Sequence, residues 1–109
     1  MTHGLLQVDA AEAQRRLQAG GALLVDVRER SEIARLAFDV PGVVEMPLSE
    51  FERRHRELPG DRELIMACAS GNRSFQAMQY LIHHGHRHVS NLQGGIGHWR
   101  IHGLPVRAG

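Results

Sequence analysis

An α/β fold with a parallel sheet covered by helices on both faces is what this 109-residue sequence predicts, on three observations. Extended and helical patterns alternate along the whole length, as a sheet with crossover helices requires. The run Ala22-Leu23-Leu24-Val25-Asp26-Val27 is continuous rather than alternating, the mark of a strand buried on both faces. The length is that of one domain, 1–109, able to bury about two-thirds of its unfolded surface without a disulfide or a structural metal.

Each element follows in order. Leu5 opens a short apolar piece that closes at Val8. Asp9 caps a helix whose apolar positions Ala10, Ala13 and Leu17 recur at helical spacing until Gly20-Gly21. After the buried strand, residues 29–36 form a helix, Pro41-Gly42 marks a turn, and Val43-Val44-Glu45-Met46 is a short strand ending at Pro47. Leu48, Phe51 and Leu58 fall on one side of a charged helix with Ser49 as its cap, before Pro59-Gly60. Residues 64–67 are the fourth strand. Residues 73–84 form a helix that turns Phe75, Met78, Leu81 and Ile82 to the core and ends at Gly85. Val89-Ser90-Asn91-Leu92 is the last strand, Gly94-Gly95 a turn, and residues 96–102 a short helix carrying Trp99.

Composition removes several function classes. The net charge is +1, and no long basic run appears, so neither nucleic acid nor an anionic membrane is indicated as a partner. A lone cysteine cannot form an internal disulfide and fits a reducing compartment, which makes the cytoplasm the expected location. The N-terminal Met1-Thr2-His3-Gly4-Leu5-Leu6-Gln7-Val8 lacks the charged start and sustained apolar segment of a secretion signal, and no run approaches a membrane span. Low-complexity linkers and internal repeats are not found.

That cysteine, Cys68, opens the run Cys68-Ala69-Ser70-Gly71-Asn72-Arg73-Ser74 directly after a strand. The pattern reads as a nucleophile in an anion cradle, with backbone N–H groups turned inward and a helix beginning near Arg73. Free cysteines are usually small buried hydrophobes. A polar, glycine-containing turn cannot hide in an apolar core, so the sulfur is expected to be reachable. Ordinary cysteine is only about 3% thiolate at neutral pH, and two or three inward donors plus a helix N-terminus can lower its pKa by roughly two units without a histidine base. Gly71 permits a positive φ and Asn72 tolerates one. Arg73 presents a planar fork suited to a sulfonate or phosphate; as a merely solvent-facing residue it would oppose the helix dipole, so an anion partner is expected.

At these residues the chain closely resembles the rhodanese family of sulfurtransferases. Leu24-Val25-Asp26-Val27-Arg28-Glu29, Val40-Pro41-Gly42 with Met46-Pro47-Leu48, the loop from Cys68 to Ser74, and Asn91-Leu92-Gln93-Gly94-Gly95-Ile96 with Trp99 and Gly103-Leu104-Pro105-Val106 are similar to family segments in the right order. The resemblance implies a rhodanese-like three-layer sandwich with a central, mostly parallel five-stranded sheet, and a persulfide carried on Cys68. It also implies sulfur transfer rather than phosphate hydrolysis, since the fold's phosphatase relatives have a loop one residue longer between cysteine and arginine. Two departures stand out. Phe38-Asp39 replaces the Gly-His that often precedes the position of Val40, and Ala69 replaces the usual basic neighbour of the cysteine, which implies modest thiosulfate affinity and admits another persulfide as donor.

The expected chemistry is attack of the Cys68 thiolate on the outer sulfur of thiosulfate or a persulfide, then transfer to an external acceptor: cyanide, a cellular thiol or a protein thiol. No cofactor and no metal is called for. Residues 69–74 form the expected anion-binding loop. Asp26 and Arg28 stand behind it, either positioning its neighbours or forming a structural salt bridge. The run His83-His84-Gly85-His86-Arg87-His88 invites a metal reading, but Gly85 interrupts the helix between His84 and His88 and no cysteine or carboxylate accompanies them. His98 and His102 are read as a solvated helix face. The competing reading of the whole chain is a non-catalytic regulatory module whose cradle binds an anion or a partner.

Overall fold

The computed structural model describes residues 6–109. The expectation of no secretion leader, and Leu5 of the first apolar piece, lie outside the described residues. The two most continuous apolar runs become the neighbouring strands β2 (Ala22–Asp26) and β5 (Glu63–Ala67), whose register pairs Leu24 with Ile65 and Asp26 with Ala67. With β1 (Gln7–Val8), β4 (Val43–Glu45) and β6 (Val89–Leu92) they make a five-stranded sheet in the order β1-β6-β5-β2-β4, parallel throughout. Successive side chains serve opposite faces. Leu24, Ile65 and Leu92 join one apolar cluster with Leu17 and Trp99, while Val25, Leu64 and Met66 join another with Phe51, Met78 and Leu81. No helix among the described residues is long and apolar enough to cross a membrane.

Helices α1 (Ala10–Gln18) and α5 (Gly95–Ile101) cover the first cluster, and α3 (Leu48–Arg54) and α4 (Asn72–His83) the second. Asp9 caps α1 as expected, its Oδ1 accepting the Glu12 N–H at 2.8 Å. Ser49 is not the cap of α3, because the helix already begins at Leu48 behind Pro47; its hydroxyl donates instead to Glu29 Oε1 at 3.0 Å. Ile82 does not face the core but is 40% exposed, since Met78 and Leu81 complete the apolar stripe of α4 without it.

The predicted helix over residues 29–36 is shorter, α2 (Arg30–Arg35), and runs straight into a strand absent from the sequence reading, β3 (Leu36–Phe38). This strand pairs antiparallel with β7 (Val106–Ala108), forming a separate two-stranded sheet. The pairing presses Phe38 edge-on against Trp99, with ring centroids 5.3 Å apart, and the Trp99 indole N–H donates to the Pro105 carbonyl at 2.8 Å.

A 3₁₀ turn at His55–Glu57 buries one histidine among rings: His55 is 7% exposed and lies 5.0 Å from Tyr80 and 5.2 Å from His84, centroid to centroid. Burial, and then the fields of His84, Arg56 and His86, push the His55 imidazole below its ordinary value of 6.5, with Glu52 opposing. The unfolded chain therefore takes up this proton first. Stability is full above that ordinary value and declines as the pH falls from it toward the lower folded value. The Tm is expected to drop as the pH is lowered below the ordinary imidazole value of 6.5, and to drop less in His55→Leu. An equally steep decline in a folded His55→Leu chain would show that the slope has another source.

Candidate active site

The loop after β5 leaves the sheet where the direction of winding reverses. From β2 the chain goes on to β4 on one side, and from β5 to β6 on the other, which opens a crevice at the carboxyl ends of β2 and β5. The Val27 N–H donates to the Ala67 carbonyl at 2.9 Å, so the two strands stay joined up to the residue before Cys68.

Gly71 is the N-terminal flanking residue of α4, at φ +107°, a conformation that favours glycine. A glycine there has no side chain to satisfy the first N–H groups of the helix. The sulfur of Cys68 takes that place. Its Sγ accepts from Gly71 N at 3.1 Å, Ser74 N at 3.4 Å and the Ser74 hydroxyl at 3.3 Å. Burial pushes the Cys68 thiol up, but the Ser74 hydroxyl and the Ser74, Gly71 and Ser70 N–H groups outweigh it, and the net direction is down.

The expectation of a reachable sulfur is corrected: Cys68 is 1% exposed and packs with the apolar cluster beneath α4. The cause lies in the cradle itself, because amides that converge on the sulfur carry the loop backbone across it. Ser70 and Asn72 form the exposed rim and Ala69 is half-buried. From the other side, α5 fastens the loop, Ile96 N donating to the Cys68 carbonyl at 2.9 Å and Gly97 N to the Ala69 carbonyl at 3.1 Å.

Arg73 has an anion partner from within the chain. Its guanidinium grips Glu32 of α2 with two bonds, 2.8 and 2.9 Å, and this contact holds the Glu32 carboxyl at about 2 while raising Arg73 further above its usual range. Glu32 was invisible as a site residue in the sequence, because it is 41 positions from Arg73 and no local pattern links them. Asp26 and Arg28 pair with each other, Nη2 to Oδ2 at 2.7 Å with side chains 1% and 4% exposed, and the Arg28 guanidinium also lies 5.6 Å from the Phe38 ring centroid. Asn91 of β6 donates from Nδ2 to the Gly71 carbonyl at 3.0 Å.

The groove between α3 and α4, of about 280 Å³, is flanked by Ser49 and Gln76 and does not include the sulfur. Among the described residues no group of three or more His, Cys, Asp or Glu side chains is placed to hold a metal ion. In the histidine-rich turn, His84 stacks on Tyr80 at 4.2 Å between centroids.

Comparison with known proteins agrees with this architecture. The family pattern described as a rhodanese-like domain matches residues 9–102. The chain is 39% identical over 103 residues to a sulfurtransferase of Allochromatium vinosum, covering 94% of each. It is 36% identical over 104 residues to an HTH-type transcriptional regulator of Mycobacterium tuberculosis, covering 94% of this chain and 45% of that one. Among solved structures, a rhodanese-related protein from Thermoplasma volcanium superposes with a TM-score of 0.82 at 28% identity, over 93% of this chain and 96% of the other.

Proposed function

Because the chain belongs to the rhodanese-like domain family, we propose that it is a single-domain sulfurtransferase that carries sulfur on Cys68. The Cys68 thiolate attacks the outer sulfur of thiosulfate or of another persulfide. The S–S bond of the donor breaks, sulfite or a thiolate leaves with the electron pair, and the sulfur remains as a Cys68 persulfide. An external thiol, a protein thiol or cyanide then attacks that outer sulfur and frees the thiolate. With one cysteine in the sequence, no second thiol of the chain can resolve the persulfide.

The observation that carries this reading is the convergence of Gly71 N, Ser74 N and Ser74 Oγ on one sulfur. Three donors aimed at a group that ordinarily makes weak hydrogen bonds favour its anion, and a persulfide anion extends that charge by one atom. Incubation with thiosulfate followed by intact mass measurement is the direct test. A gain of one sulfur atom, reversed by cyanide, is expected.

The covered sulfur also favours a second reading, a regulatory module that binds an anion or partner without transfer. No mass gain with thiosulfate or with any persulfide donor would select it. For the donor itself, the Glu32 contact already compensates the Arg73 charge, so Arg73→Ala is expected to raise the KM for thiosulfate only several-fold. Unchanged thiosulfate kinetics would remove Arg73 from donor binding.

A further inference from the structure

Asn91 sits inside the sheet on β6, between its register partners Gln7 on β1 and Met66 on β5, and is 2% exposed. Its Nδ2 donates to the Gly71 carbonyl at 3.0 Å and to Gln7 Oε1 at 3.3 Å. The same glycine donates its own N–H to Cys68 Sγ at 3.1 Å, and its carbonyl also accepts the first bond of α4, from Phe75 N at 3.1 Å. A glycine at φ +107° has the widest backbone freedom of any residue, so the direction of its N–H must be set by what grips it. Asn91 grips it from the sheet.

A second observation concerns the other half of the amide. Asn91 Oδ1 is buried with no hydrogen-bond partner among the described residues. An unpaired acceptor removed from water is destabilising, so an apolar residue of this size would serve the sheet better. The amide is accounted for by what its nitrogen holds. We infer that Asn91 is a positioning residue for the sulfur cradle, its side-chain amide pinning the Gly71 carbonyl so that the Gly71 N–H stays turned onto Cys68 Sγ. The inference rests on Cys68 being the reactive sulfur. It goes beyond that reading by assigning the cradle's alignment to a side chain on a neighbouring strand.

The consequence is a thiolate whose stability depends on residue 91. Alkylation of the full chain by iodoacetamide, followed against pH, reads the ionisation of its lone thiol. In Asn91→Leu, which keeps the bulk and removes the donor, the midpoint is expected to rise by about one unit, slowing alkylation near neutrality by up to about tenfold. Asn91→Asp sets a carboxylate against the Gly71 carbonyl, and its midpoint is expected to rise further. Arg73, whose charge interacts with Cys68 and is held by Glu32, is untouched by either change. A purely structural role for Asn91 would lower the Tm and leave the midpoint alone.

The native chain supplies a measurement that needs no variant at position 91. The side-chain NH₂ resonances of Asn91 are expected to titrate with the midpoint of Cys68, and to stop doing so in Cys68→Ser. An unshifted midpoint in folded Asn91→Leu, or Asn91 resonances indifferent to Cys68 ionisation, overturns the assignment. Neither readout involves sulfur transfer, so a chain that gained no sulfur from any donor would refute the proposed function and leave this inference to its own result.

Discussion

Cys68→Ser is expected to abolish sulfur transfer, by at least about a thousandfold, while the protein keeps its native Tm to within a few degrees. The chemical half follows from the element: a serine hydroxyl is not ionised near neutrality and cannot hold a sulfane sulfur. The structural half follows from the role of Sγ as the cap of α4, accepting from Gly71 N and Ser74 N. A serine oxygen is a good acceptor for the same amides, so the first turn of α4 stays satisfied. Cys68→Ala separates the two roles, since it removes both nucleophile and cap and is expected to cost about 1 kcal/mol of stability in addition to all activity. Measurable transfer by a folded Cys68→Ser chain would end the proposal that Cys68 carries the sulfur.

The largest stability effect is expected at Gly95. Its φ is +58°, and a Cβ there would lie 2.3 Å from the Cys68 carbonyl oxygen and 2.6 Å from that of Ala69. Both obstacles are backbone, so no side chain can swing away. Gly95→Ala forces the start of α5 back from the loop and breaks the bonds from Ile96 N and Gly97 N to those same carbonyls. Backbone strain, overpacking and two lost hydrogen bonds together make a loss of roughly 3 kcal/mol or more, read as a lower urea midpoint with an unchanged slope. Gly97→Ala is the control, because its Cβ would meet the Ala69 carbonyl oxygen at 3.4 Å, and it is expected to be nearly neutral. Near-native stability of Gly95→Ala would mean that α5 does not clamp the loop.

Local patterns were legible where a local rule decides the conformation. Asp9 as a cap, Ala13 and Leu17 as the buried stripe of α1, and the two-faced burial of β2 followed from spacing and residue type. Misreadings fell where distant partners decide. β3 continues straight from α2 without a glycine or proline between them, and its strand character comes from pairing with β7 at the other end of the chain. Ser49 has the chemistry of a cap, yet Pro47 already starts α3 and the hydroxyl goes to Glu29. Ile82 has helical spacing relative to Met78, but the buried stripe of α4 runs through Met78 and Leu81 and leaves Ile82 on its flank, 40% exposed.

The parallel α/β architecture, the family, and the small-residue loop that closes on a lone thiol are legible along the chain, because helical and strand periodicity and turn chemistry are written in adjacent residues. That Glu32 pairs with Arg73, that Asn91 bonds to Gly71, and that Cys68 is 1% exposed follow from the folded arrangement alone. Those contacts join residues 41 and 20 positions apart. Their geometry exists only once β2, β5 and β6 lie side by side, since strand order and register bring such side chains within hydrogen-bonding distance and no local spacing rule encodes it.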